Sequence, residues 1–348
     1  MAKICRNQGT TFEFTCPLLD NVFINMPAIE DTISSVSGRT GKDKPAQIAS
    51  LLRAVTCIDL TTLCSDDAEC NVQRLCHKAE NPIDKNLLDN LGINSEEFHV
   101  GAVCVYPARV KDCVKALEDI KSNVPIAAVA AGFPSAQYHL DTKLEEIKCC
   151  VNDGAREIDI VISRQLALQG EWEDLYEEVK AMKEACGSKI LLKTIIAAGE
   201  LGSLDNIYKA SIVCMAAGSD FIKTSTGKES VNATLPIGMT MARAIRAYYD
   251  LTGFEVGFKP AGGIRTAKDV LLWQNLMKKE LGQKWLHPSL FRIGASGLLN
   301  DIEKNIFVRG VLLLHNNGRP HAVRAKGNLL DSWHWEILPH PPYSPDLI

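Results

Sequence analysis

The sequence has 348 residues, with 38 Lys plus Arg against 42 Asp plus Glu and a net charge of −4. Its 46% hydrophobic and 23% charged content excludes a collagen-like, low-complexity or wholly disordered chain. The near-neutral balance excludes a general electrostatic pull toward nucleic acid or an anionic membrane, and the length suits one large α/β domain or two ordinary ones.

From the N-terminus, MAKICRNQGTTFEFTC has no sustained apolar core, so no signal peptide is expected. The longest apolar stretch, residues 126–133, falls far short of the roughly 20 residues a spanning helix requires, and no membrane partner is expected. The twelve cysteines include no C-x-x-C pair. They read as reduced, mostly core-filling thiols of a cytoplasmic protein, with no metal site and no cofactor. Residues 1–50 are mixed and polar and read as a short N-terminal extension, with 34–45 (SSVSGRTGKDKP) a loop.

From Ala54 a regular alternation begins. Apolar or β-branched runs start near residues 54 (AVTCIDL), 99 (HVGAVCVY), 125 (PIAAVAAGF), 157 (EIDIVI), 190 (ILLKTII), 219 (SDFIKTS), 255 (EVGFKP) and 290 (LFRIGAS). The gaps leave room for the crossover helix that parallel strands demand. Residues 173–186 carry Leu175, Val179 and Met182 at helical spacing and stop before Gly187, and Thr266 is placed to cap a helix beginning AKDVLLW. Eight such units, with no G-x-G-x-x-G turn after the first run, predict an α/β fold of the TIM (β/α)₈ barrel type over residues 51–307. Composition changes near Val308: the last 38 residues hold five of fifteen prolines and four of eight histidines, so 308–348 reads as an appended, non-native C-terminal tail.

In a parallel barrel, residues at the C-terminal strand ends face the active site. The sixth run ends on Lys223 and the seventh on Lys259. A lysine ending a strand is ordinarily a solvated rim residue. Two at equivalent heights on strands about 4.8 Å apart, each in a dry run, should perturb each other. Burial and a neighbouring like charge both disfavour the ammonium form, so one pKa should fall and leave a neutral amine able to form a Schiff base. Asp159, between isoleucines in the fourth run, is either half of a structural ion pair with Lys193 or a proton relay beside the lysines. Asp59 could join Lys193 in a network or bind a hydroxylated substrate. Cys104 ends the second run facing the site and, with no His or Asn to activate it, reads as a buried thiol. Three glycine-bearing loops, TSTGK (224–228), AGGIR (261–265) and IGASG (293–297), follow the last three runs and together point to a phosphate. TSTGK is not a P-loop, because Ile222 stands where that motif needs glycine.

DFIKTSTGK, GFKPAGGIR, EIDIVI, AVCVYPAR, VAAGFP and FRIGAS together resemble the deoxyribose-phosphate aldolases of the longer animal type over about residues 45–305. The resemblance implies a class I aldolase without metal or cofactor. Its implied reaction is reversible cleavage of 2-deoxyribose 5-phosphate to acetaldehyde and glyceraldehyde 3-phosphate. It implies that Lys223 is the Schiff-base lysine, Lys259 the lysine that lowers its pKa and Asp159 the proton shuttle. Gly227, Lys228, Gly262, Gly263 and Ser296 match the phosphate-binding loops. Asp59, Cys104 and Lys193 complete the candidate substrate-binding set. Gly297 stands where that family commonly has a second hydroxyl residue, Ala198 where it has threonine, and its tyrosine-bearing tail is missing after Phe307.

In place of that tail, residues 308–348 are similar to part of a mariner-type transposase catalytic domain. Such a domain holds two metal ions on three acidic residues; here Asn316 stands at the first position, and the next would lie beyond Ile348. The expectation is a catalytically dead relic. Competing readings are a transaldolase-like Schiff-base barrel, a barrel of reduced activity lacking the family tail, and a nucleic-acid-interacting fusion that uses the few basic residues Arg309, Arg319, Arg324 and Lys326. The expected partners are a small phosphorylated sugar and a second copy of the chain in a homodimer, with no nucleic acid.

Overall fold

The computed structural model describes residues 7–10, 19, 22–37 and 44–315. Eight parallel strands lie in the order β7-β6-β5-β4-β3-β2-β1-β8: β1 Ile58–Thr61, β2 Ala102–Val105, β3 Ile126–Ala130, β4 Glu157–Val161, β5 Leu191–Ile195, β6 Phe221–Lys223, β7 Gly257–Lys259 and β8 Ile293–Ala295. The ring closes between β7 and β8 through bridges pairing Phe258 with Phe291 and Ala261 with Gly294. This is the expected TIM barrel, and each strand lies within a run marked out by the sequence except that β1 extends one residue past its run, to Thr61. Alternation decides which side chains go where. Ile58, Leu60, Ile158 and Ile160 point outward into the main apolar core under the helices. The small or charged residues between them point inward: Asp59 on β1, Ala102 and Cys104 on β2, Ala127 and Val129 on β3, Glu157 and Asp159 on β4. Polar groups can occupy that interior only by pairing among themselves.

Around the ring lie α3 Glu69–Glu80, α4 Lys85–Leu91, α5 Val110–Asp119, α6 Leu140–Asn152, α7 Arg164–Gln169, α8 Trp172–Cys186, α9 Leu204–Ala216, α10 Leu235–Thr252, α11 Ala267–Glu280 and α12 Leu298–His315. The helix expected over 173–186 is α8, and its chain leaves through Gly187 with φ of +74°. Thr266 caps α11 as expected: its hydroxyl accepts from the Asp269 N–H, and the Asp269 carboxylate accepts in turn from the Thr266 N–H. Among the described residues, no helix is long and apolar enough to cross a membrane.

The N-terminal region is more structured than its composition foretells. Two helices precede β1, α1 Met26–Ser37 and α2 Lys44–Thr56. Residues 34–37, expected in a loop, are therefore the last turn of α1, and the boundary drawn at residue 50 falls inside α2. The reason is burial: Ile29 and Val36 of α1 and Ile48, Leu51, Leu52 and Val55 of α2 are all buried against the barrel helices. Polar spacing between these apolar positions hides the pattern in a composition count. Residues 7–10 dock below the barrel. The Asn7 side-chain amide donates to the carbonyls of Met215 (2.7 Å) and Ser219 (2.8 Å), and its oxygen accepts from the Tyr248 hydroxyl (3.0 Å). At the other end, α12 runs on to His315, past the boundary drawn at 307. The tail expectations beyond that helix, Asn316 included, lie outside the described residues.

Candidate active site

Seven ionisable side chains meet inside the barrel: Asp59, Glu157, Asp159, Lys193, Lys223, Lys259 and Arg292, each at most 3% exposed. The strand register brings them together. Asp159 of β4 lies directly across from Lys193 of β5, and Lys223 of β6 directly across from Lys259 of β7. Lys223 and Lys259 both donate to the same oxygen, Asp159 Oδ2, at 2.8 and 2.7 Å. Sharing one acceptor keeps the two amines within a few ångströms, as neighbouring strand ends should. Below them, Lys193 contacts Asp59 (3.2 Å), Glu157 (2.5 Å) and Asp159 (3.0 Å). Arg292 grips Glu157 through both terminal nitrogens (2.8 and 3.2 Å) and Asp59 through one (2.7 Å), and Asp59 also accepts from Lys259.

The inventory of partners separates these residues by role. An ammonium has three protons, and Lys193 has three carboxylates to receive them. Asp59 and Lys193 are joined in the ionic network, one of the two readings the sequence left open for them, and both are fully buried. Cys104 lies beside the network with its thiol buried, and burial raises its pKa, so it stays protonated. Lys259 has two carboxylate partners and Lys223 only one. Lys223 and Lys259 both end their strands, and Lys223 is the slightly more exposed of the two, at 3% against 0%.

Charge arithmetic points the same way. Four bases face three carboxylates in a sealed interior, and isolated buried charge is strongly disfavoured. One base shedding its proton balances the set. Burial lowers the Lys223 pKa first of all; Asp159 opposes this, and the Lys259 ammonium adds to it, leaving a net depression. For Lys259 burial works in the same direction but the Asp159 and Asp59 carboxylates outweigh it, so its pKa rises. Lys193 rises well above the ordinary lysine range, with Asp159, Asp59 and Glu157 overcoming burial. The Asp159 carboxyl is held well below its usual range because the three lysines outweigh its desolvation. Of the three lysines, Lys223 is thus the one whose surroundings most favour the neutral amine, while those of Asp159 favour the carboxylate.

Sequence reasoning missed Glu157 and Arg292. The signal for Glu157 was its place two residues before Asp159, hence on the same face of β4. Arg292 stands alone among apolar residues in LFRI, and only the closed ring shows that it reaches β4 from β8.

The three glycine loops at the mouth are not equivalent. Gly262 and Gly263 adopt φ of +84° and +83° after β7, and Ser296 and Gly297 form an exposed bend after β8. Among the described residues, the N–H groups of these four have no protein acceptor. A Cβ built on Gly297 meets open space, so the missing hydroxyl leaves room rather than a clash. After β6 the picture changes. The Gly227 N–H donates to Glu229 Oε2 (3.1 Å), and the Thr226 N–H and hydroxyl also donate to the Glu229 carboxylate (3.0 and 2.7 Å). This N–H group was expected to face a phosphate and instead faces a carboxylate of its own loop. Lys228 reaches across the mouth and donates to the Leu63 carbonyl at 3.1 Å. Among the described residues no group of three or more His, Cys, Asp or Glu side chains is placed to hold a metal ion.

Residues 53–303 match the family described as DeoC/LacD family aldolase. The chain is 54% identical over 301 residues to the deoxyribose-phosphate aldolase of Homo sapiens, covering 86% of this chain and 94% of that protein. It is 55% identical over 307 residues to that of Mus musculus, covering 88% and 95%. Among solved structures, the tetrameric deoxyribose phosphate aldolase of Aeropyrum pernix superposes with a TM-score of 0.58 at 21% identity, over 77% of this chain and 98% of that one. At that identity the likeness concerns the fold alone.

The network carries a stability prediction. Replacing Arg292 by Met leaves Glu157 and Asp59 buried short of their cation and should remove about 3–5 kcal/mol of unfolding free energy, measured by urea titration. The Asp59 and Asp159 pKa values lie below their unfolded values. Their stabilisation is therefore complete above about pH 4 and is lost as pH falls toward the folded values. In the wild type, acid unfolding should set in only below that point.

Proposed function

The chain belongs to the DeoC/LacD family of aldolases, and on that premise we propose that it cleaves 2-deoxyribose 5-phosphate reversibly into acetaldehyde and glyceraldehyde 3-phosphate through a Schiff base on Lys223. The observation that carries the reading is the single buried oxygen, Asp159 Oδ2, shared by a lysine of depressed pKa and a lysine of raised pKa. That arrangement supplies a neutral nucleophile, a carboxylate base and an ammonium acid within hydrogen-bond reach of one another.

In the cleavage direction the Lys223 amine adds to C1 of the open-chain aldehyde, and the carbonyl oxygen takes up a proton to give a carbinolamine. Lys259 is the ammonium beside this centre, and Asp159 receives the proton the nitrogen sheds. The hydroxyl leaves as water by taking back the proton held on Asp159, which leaves an iminium and restores the carboxylate. The C3 hydroxyl then gives its proton to Asp159, directly or through a water. The C2–C3 bond breaks, its electron pair moves into the iminium to form an enamine, and glyceraldehyde 3-phosphate departs. Protonation at C2 and hydrolysis release acetaldehyde and restore the amine. The imine acts as the electron sink, and the rigid strand ends hold the reacting groups in place.

The open N–H groups of Gly262, Gly263 and Ser296, with the Lys228 ammonium, form the proposed seat of the substrate phosphate. Gly227 contributes the turn, at φ of +87°, that sets Lys228 over the mouth. A homodimer in the cytoplasm completes the proposal. Ten described cysteines that are all free thiols support a reducing compartment.

Borohydride reduction in the presence of acetaldehyde should attach an ethyl group to Lys223, located by peptide mass mapping. Modification confined to other lysines would contradict the assignment. The second prediction concerns pH. The Lys259 ammonium helps to depress the Lys223 pKa, so Lys259→Met should let that pKa rise. The neutral fraction would then be lost at a higher pH, and the acid limb of kcat/KM should move upward in a pH–rate profile. An unmoved limb would remove Lys259 from this role.

A further inference from the structure

The mouth contains an anion that the aldolase reading does not use. Glu229 follows Lys228, and its side chain is only 1% exposed. It fills the concave cluster of donors formed by the Thr226 N–H, the Gly227 N–H and the Thr226 hydroxyl. Successive N–H groups around a left-handed glycine are a recurrent seat for phosphate. Here the seat is taken by the chain itself. Thr226 Oγ1, which donates to Glu229, accepts in turn from the Lys228 N–H at 3.0 Å. Glu229 thus fixes the backbone from which the Lys228 ammonium reaches Leu63.

Behind the carboxylate stands Arg164, with Nη2 at 3.6 Å from Glu229 Oε1 and Nε at 2.6 Å from Glu200. Its Nη1 donates to the Ser135 carbonyl (2.8 Å) and its Nη2 to the Pro134 carbonyl (2.9 Å). One guanidinium therefore joins the loops after β3, β4, β5 and β6, and Glu229 is the member that touches the loop bearing Lys228. By contrast, the N–H groups after β7 and β8 are empty.

We propose that Glu229 is a positioning residue, an internal stand-in for an anion that closes the site after β6, sets the loop bearing Lys228, and confines the substrate phosphate to the open N–H groups after β7 and β8. The proposal rests on the aldolase reading for its substrate. Its physical basis is simple: two anions do not share one small cluster of donors, and the carboxylate is already buried there. The phosphate end of the substrate is then directed away from β6 while C1 reaches Lys223.

The test uses the full chain and the variants Glu229→Ala and Glu229→Gln. Turnover is measured with 2-deoxyribose 5-phosphate and with 2-deoxyribose. Glu229→Ala should raise KM for the phosphate ester about tenfold, with kcat changed by less than about threefold, so that the preference for the ester over the free sugar shrinks accordingly. Glu229→Gln, whose amide oxygen still accepts from the two N–H groups, should recover much of the loss. Calorimetric titration with inorganic phosphate provides a readout independent of catalysis: one site on the wild type and a second, newly vacated site on Glu229→Ala. An equal loss for both sugars with a lowered melting temperature would overturn the proposal in favour of a purely structural role. A lower KM in the alanine variant would overturn it by showing that Glu229 competes with the substrate phosphate. Absence of wild-type turnover would count against the aldolase reading alone, and the phosphate stoichiometry would then decide the role of Glu229.

Discussion

Charge neutrality inside a closed ring of strands is the constraint on which the rest depends. The barrel seals three carboxylates and four basic groups away from water, and protein interiors do not tolerate a surplus charge cheaply. The surplus is least held at the lysine with a single carboxylate partner, Lys223. Lys223 is the lysine whose ammonium form is least favoured, because Lys193, Lys259 and Arg292 claim the carboxylates more completely. On this account Arg292 and Glu157 take part in the chemistry at a distance: they hold Asp59 and Lys193 in place, and these in turn hold Asp159 and Lys259.

The mouth follows the same economy with backbone donors. A glycine turn that leaves N–H groups free will attract an anion. Two of the three turns are left open, and the third is satisfied by Glu229. The difference is one of sequence, a glutamate two residues beyond Gly227, and it turns three similar loops into a seat with one open side. Arg164 ties the closed side to the neighbouring loops, whereas among the described residues the bend at Ser296 and Gly297 has no such tie.

Much of this was legible in the sequence. Eight apolar runs marked all eight strands, because each strand needs an outward apolar face to meet its helices. Lys223 and Lys259 stood out as charges ending dry runs at matching heights, and Asp159 as a charge between isoleucines. The parts that escaped have physical causes. Glu157 on β4 and Arg292 just before β8 meet across the interior of the ring, which no local pattern reports. For Asp59 and Lys193 the sequence left a network and a substrate contact both open, and only the closed ring shows how many partners each has. Gly227 has the signature of a phosphate loop, yet what occupies its N–H group depends on the rotamer of Glu229. The helices before β1 escaped because their apolar stripes are narrow and interleaved with polar residues.

The most direct measurement is nitrogen NMR of the protein labelled with ¹⁵N at the lysine side chains, read at neutral pH and assigned by replacing each interior lysine in turn. The account predicts one interior lysine with the chemical shift of a neutral amine, Lys223, and two with that of an ammonium, Lys193 and Lys259. Three ammonium signals, or a neutral amine at either of the other two positions, would contradict it.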